Sequence, residues 1–233
     1  MNQEFMQDRV KTIYVLPQLA GIHLDYSLGE ELPLFAPLAT DKLVYGVGYN
    51  SSERRRALSL TVHETTSPVY RRWLDMLTRC YKSRAAAYEG CTVCRKWLDF
   101  QEFADWFVAQ TYSGAEDAEL DKDILDPINK IYSPEYCSVV PRVINQMFRD
   151  TRSQRGNLPI GVSVAARGKG FISRISKHGK HFYLGKFNDP IAAFEAYKAA
   201  HSEYCVELAA TYEGKIDQRV IRRLETYSRH IRD

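Results

Sequence analysis

Asp121 and Asp123 stand two residues apart, with Lys122 between them, in an acidic block that also holds Glu116, Asp117, Glu119 and Asp126. Alternate residues of a strand share a face. The two carboxylates are therefore a candidate oxygen-ligand pair for Mg²⁺, a hard cation that suits such ligands. Lys122 carries an ammonium that can meet a phosphate, but it accepts a proton only where burial depresses its pKa. Cys91-Thr-Val-Cys94 has the spacing of a metal knuckle, and Cys80 and Cys137 are candidates to complete a structural Zn²⁺ site. The other reading of these thiols is as small apolar groups filling a core.

A second block has the opposite sign. From Pro141 to Phe187 the basic residues are Arg142, Arg149, Arg152, Arg155, Arg167, Lys169, Arg174, Lys177, Lys180 and Lys186, and Asp150 is the sole acid. The net charge of +3 conceals this asymmetry. Such a patch suits a polyanion, bound largely by electrostatics and therefore sensitively to salt.

The elements that must position these groups are readable at intervals along the 233 residues, enough chain for two modest cores. Residues 1–41 form an unassigned extension, with Lys11–Leu16 as a short strand. Leu43–Tyr49 and Ala57–Val62 read as a hairpin joined by a basic loop at Arg54-Arg55-Arg56. Ser67-Pro68 caps a helix whose Val69, Tyr70, Trp73, Met76, Leu77 and Cys80 make an apolar stripe, and a second helix starts near Asp99, with Phe100, Phe103, Trp106 and Phe107 as core. Asp121–Leu125 reads as a strand, Asn129–Tyr132 as a turn and a second strand, and Ser133-Pro134-Glu135 as the start of a helix. Three strands follow, Ile160–Ala165, Gly170–Ser176 and His181–Phe187, with glycine-bearing basic turns between them. A helix then opens at Asn188-Asp189-Pro190, with Ala193, Tyr197, Ala200 and Tyr204 at helical spacing. The last segment, within 215–233, is a basic amphipathic helix with Val220, Ile221, Leu224 and Tyr227 on one side, suited to padding the preceding domain or to forming a homodimer.

No stretch has the length of a membrane span, and the start lacks a basic-then-apolar leader. Together with five cysteines, an odd number, this points to a reducing, cytoplasmic setting.

Residues 156–212, with Gly161-Val162, then Tyr183-Leu-Gly-Lys-Phe187, then Asp189-Pro190 and Ala193-Phe-Glu-Ala-Tyr197, resemble the Apetala-two DNA-binding domain of plant ethylene-response factors. The resemblance implies double-stranded DNA as partner, with the sheet in the major groove, where base edges are distinguishable. Carried over strand by strand, it turns Ser163, Ala165, Arg167, Arg174, Ser176, His181 and Tyr183 toward the groove, with Lys169 in the first turn beside them. Val162, Phe171, Ile175, Leu184 and Phe187 become the face on the helix. Ser163 and Ala165 stand where the family places arginines, which leaves Arg167 and Arg174 as the principal base readers.

Residues 42–150, with Asp121-Lys-Asp-Ile-Leu125, Asn129-Lys-Ile-Tyr-Ser-Pro-Glu-Tyr-Cys137 and the upstream Tyr88-Glu-Gly-Cys-Thr-Val-Cys94, resemble the ββα-metal module of phage HNH-type homing endonucleases. That resemblance implies Mg²⁺-dependent phosphodiester cleavage, with Asp121 as metal ligand and Asn129 as the asparagine that pins the loop. Lys122 occupies the position of the general-base histidine, and Tyr136 that of the helical ligand. The expected class is α+β, a ββα-containing module followed by a three-stranded antiparallel sheet on a helix. Three readings of the first module stand: a metal nuclease with altered residues, a DNA-binding ββα unit without cleavage, and a local match in an ordinary α+β domain. A DNA-binding regulator or a phage-encoded inhibitor acting on a host protein is the alternative to a nuclease for the whole chain.

Overall fold

The computed structural model describes residues 32–149 and 156–232. The strand expected at Lys11–Leu16, most of the 1–41 extension, and Asp150, Arg152 and Arg155 lie outside the described residues. Helices and strands succeed one another in an α+β order. The chain divides into two compact units, one of Met1–Ala109 and Lys130–Pro134, the other of Gln110–Asn129 and Glu135–Asp233.

In the first unit, helix α1 spans Ser52–Ala57, α2 Pro68–Tyr81 and α3 Phe100–Val108. Ser67 caps α2, with Oγ accepting from the Tyr70 N–H, and proline follows in the first turn. Asp99 caps α3 by accepting from the Gln101 N–H. Trp73, Met76, Leu77, Trp97, Phe100, Phe103 and Phe107 are buried together with Tyr49, so Phe100, Phe103 and Phe107 are core as expected, whereas Trp106 is half-buried. Strand β1, Thr92–Val93, pairs in parallel with β3, Ile131–Tyr132. The hairpin expected over 43–62 does not form. Only an isolated bridge joins Val44 to Gly48, and the three arginines lie on α1 rather than in a loop. They are held there by carboxylates outside the helix: Arg54 by Asp41, Arg55 by Glu102 and Asp105, and Arg56 by Glu64.

The second unit has two cores that share one helix. Strand β2, Ala118–Asp121, pairs antiparallel with β4, Ser138–Pro141, and α4 follows at Arg142–Phe148. Strands β5 (Val162–Val164), β6 (Phe171–Lys177) and β7 (Lys180–Phe187) form an antiparallel sheet in that order. Helix α5, Pro190–Tyr212, is capped by Asp189, which accepts from the Ala192 N–H at 2.9 Å. Its first half packs Phe194 and Tyr197 against Ile175, Val162 and Leu184 of the sheet. Its second half packs Tyr204, Cys205, Leu208 and Ala209 against Ile124, Val140 and Ile144, and against Val220, Ile221 and Leu224 of α6, Gln218–Thr226. The apolar side of α6 is thus buried inside this unit. Burial pushes the Cys205 thiol up to about 11, partly offset by the Arg229 guanidinium.

The ββα order expected around Asp121 is not what forms. Strand β2 ends at Asp121, and β3 pairs with β1 rather than with β2. No helix starts at Ser133-Pro134. The β-branched, fully buried run Val139-Val140 becomes a strand instead, and the helix begins only at Arg142.

Candidate nucleic-acid interface

Side chains alternate across a strand, so the sheet has an inner face on α5 and an outer face. On the outer face Arg174 stands opposite Tyr183, Ser176 opposite His181, and Ile172 lies between Ser163 and Lys186. Arg174, Ser176, His181, Tyr183 and Lys186 are all exposed, Tyr183 at 61 %. Ser176 and His181 are joined, Oγ to Nδ1, at 2.8 Å. Lys169 is exposed beside the sheet, and Ser163 is half-buried. Arg167 lies in a short 3₁₀ turn at Ala166–Gly168. No Asp or Glu occurs between Gly156 and Asn188, so nothing in these strands neutralises the face from within.

One expectation for this sheet is corrected, at Ala165. Ala165 does not face a groove. It is 5 % exposed, and its N–H donates to the Gly170 carbonyl across the turn. Ser173, not singled out in the sequence, is fully buried on the inner face. Lys177 and His178, at the turn between β6 and β7, face the helix. Lys177 meets Glu203 at 3.2 Å, His178 Nε2 meets Glu207 at 2.6 Å, and the His178 N–H donates to the Tyr204 hydroxyl. This tie stiffens the β6–β7 turn, where His178 and Gly179 have φ of 51° and 73°, the left-handed pair that a two-residue hairpin turn requires. A bulge sets the rest of the register: Ser173 pairs with Gly185 and Arg174 with Tyr183, leaving Leu184 as the extra residue.

The residues expected to carry metal chemistry are engaged in shaping a loop. Asp121 accepts from the backbone N–H groups of Asp123 at 2.8 Å and Ile124 at 2.7 Å, which turns the chain out of β2. Burial pushes its carboxyl pKa up, opposed by those same hydrogen bonds. Lys122 is 4 % exposed, and its ammonium pairs with Asp123 and donates to the Asn129 carbonyl at 3.2 Å. Asn129 Nδ2 reaches back to the Lys122 carbonyl at 3.5 Å, so asparagine and lysine close the 122–129 loop from both ends. The carboxylates of Asp121 and Asp123 do not form a free pair. Oδ1 of Asp121 serves the backbone amides, and Oδ1 of Asp123 meets the Lys122 ammonium. Tyr136 is on a turn, not a helix, and lines an open cleft with Leu125, Glu135, Arg219 and Arg222.

None of the cysteines is in a disulfide; Cys91, Cys94 and Cys137 are buried and Cys80 half-buried. Among the described residues, no three His, Cys, Asp or Glu side chains are grouped so as to hold a metal ion. Also among them, no helix is long and apolar enough to cross a membrane. Comparison with protein-family models, with curated proteins and with solved structures gave no match.

Proposed function

We propose that this chain binds double-stranded DNA at specific sites through the outer face of the β5–β7 sheet. One observation carries the reading. Arg174, Ser176, His181, Tyr183 and Lys186 are exposed together on a face whose strands contain no acid. A twisted sheet of this size fits the major groove, and these side chains supply the donors and cations that base edges and phosphates accept. Cleavage lies outside this reading, since Asp121 and Lys122 are committed to the loop. A DNA-binding regulator is the role that such a surface supports.

The test is equilibrium titration of a mixed-sequence duplex, and of sites selected from a random pool, across a range of salt. Each phosphate neutralised contributes about 0.9 to the slope of log K against log salt, so contacts from Arg174, Lys186 and Lys169 should give a steep fall. A flat salt response, or equal affinity for every duplex, would overturn the proposal.

A further inference from the structure

Ser176 and His181 face each other in register on the outer sheet face, both exposed, with Oγ and Nδ1 2.8 Å apart. A neutral imidazole carries one N–H and one lone pair, and a hydroxyl can donate one proton and accept others. Two arrangements satisfy the contact. In one, the Ser176 hydroxyl donates to Nδ1; Nε2 then holds the ring proton and points outward as a donor, leaving Oγ an outward acceptor. In the other, Nδ1–H donates to Oγ; Nε2 is then the outward acceptor, and the hydroxyl proton turns outward.

We infer that Ser176 and His181 read two neighbouring base pairs as one coupled unit that never presents two donors while the ring is neutral. This rests on the proposed docking of the sheet in DNA. The imidazole separates the two outward groups, so they reach adjacent base pairs rather than one. Their other neighbours on that face are Arg174 and Tyr183, two residues along β6 and β7, with Lys177 and Lys180 at the strand ends. Lys177 is turned to Glu203, and the strands bring no carboxylate that would fix the tautomer. The choice is therefore left to the DNA. The major groove offers acceptors at purine N7, guanine O6 and thymine O4, and donors at adenine N6 and cytosine N4. A base that presents an acceptor to His181 selects the first arrangement and so asks for a donor at Ser176. A base that presents a donor selects the second arrangement, which frees the hydroxyl proton to meet an acceptor at Ser176.

The experiment is a double-base cycle. Sites are selected from a random duplex pool with the full chain. Affinities are then measured for the preferred site, for each single change at the two adjacent positions, and for the double change. In the wild type the effects should be non-additive by about fivefold or more, the lower end of the discrimination that a base contact gives. In Ser176→Ala they should add to within about twofold, while Ser176→Thr, which keeps the hydroxyl, should retain the coupling. Additive preferences in the wild type, or coupling that survives Ser176→Ala, would overturn the inference and leave DNA binding standing. Failure to bind any duplex would remove the DNA reading and this inference together.

Discussion

Lys122 and Asn129 hold each other's backbone. The lysine ammonium donates to the Asn129 carbonyl at 3.2 Å, and the asparagine amide reaches the Lys122 carbonyl at 3.5 Å. Reciprocal contacts of this kind close the loop that follows β2 and present Ile124, which is 1 % exposed, to the core beneath α5. The lysine side chain therefore stabilises structure, at a position where proton transfer was one expectation.

Lys122→Met keeps the buried stem and removes the ammonium. It removes the ammonium's hydrogen bond to the Asn129 carbonyl, and a hydrogen bond to a charged group contributes about 1.5–3 kcal/mol. Asp123 is largely exposed and rehydrates, so no larger loss is expected. Urea unfolding of Lys122→Met against wild type measures this. An unchanged midpoint would show that the loop does not depend on the clamp.

Asp121 allows a sharper separation of charge from hydrogen bonding. Its carboxyl pKa is raised by burial, so the folded chain binds its proton more tightly than the unfolded one. The stability from this group is fully present below the unfolded value of about 3.9 and is lost as pH rises through the higher folded value. Asp121→Asn keeps an acceptor for the Asp123 and Ile124 N–H groups while removing the buried charge. It should match or exceed wild-type stability at neutral pH and flatten that part of the pH profile. Asp121→Ala strands both amides and should cost about 1–3 kcal/mol. Thermal melts of both variants from mildly acidic to neutral pH distinguish the two roles; equal losses in both would contradict the assignment.

Local signals made the second half of the chain legible. Asp189-Pro190 starts α5, glycine marks the β6–β7 turn, and alternation of Arg174 and Ser176 with Ile175 sets the faces. Around Ser133 local signals misled. Ser133-Pro134-Glu135 has good helix-start chemistry, yet Ser133 is buried, and the chain gains more by pairing Val139 and Val140 with Leu120 and Glu119. The Arg54–Arg56 run was equally opaque, because the acids that hold Arg55, Glu102 and Asp105, lie far along the sequence. The outer sheet face was visible in outline, but not the inward turn of Lys177 and His178, which Glu203 and Glu207 on α5 impose.

Gly161 sets how closely the sheet approaches α5. Its φ is +77°, and a Cβ there would lie 2.1 Å from the Tyr197 ring. Gly161→Ala therefore combines a left-handed backbone penalty of about 1–2 kcal/mol with overpacking of about 1–3 kcal/mol. The carbonyl of Gly161 also accepts the Arg174 N–H at 2.9 Å, so displacing this segment disturbs the strand carrying the principal candidate base contact. The variant should melt well below wild type and lose DNA affinity in proportion. A wild-type melting temperature would mean that the sheet and helix can separate without cost.

Arg174 and Lys177 are close neighbours on β6, and they test which side of the sheet meets DNA. Arg174 is exposed on the outer face opposite Tyr183, whereas Lys177 is turned toward α5, near Glu203 and the Tyr204 ring. A guanidinium can bond N7 and O6 of guanine together, a contact worth about 1–3 kcal/mol of discrimination. Arg174→Ala should therefore weaken binding to a selected site by about that amount and relax preference at one position, while affinity for random duplex falls less. Lys177→Ala removes a cation that faces the helix, so base preference should stay unchanged and the loss should appear as a small drop in stability. Affinities of both variants for selected and random duplexes, at one fixed salt concentration, decide the matter. If Lys177→Ala alters base preference and Arg174→Ala does not, the DNA lies against the other side of the sheet.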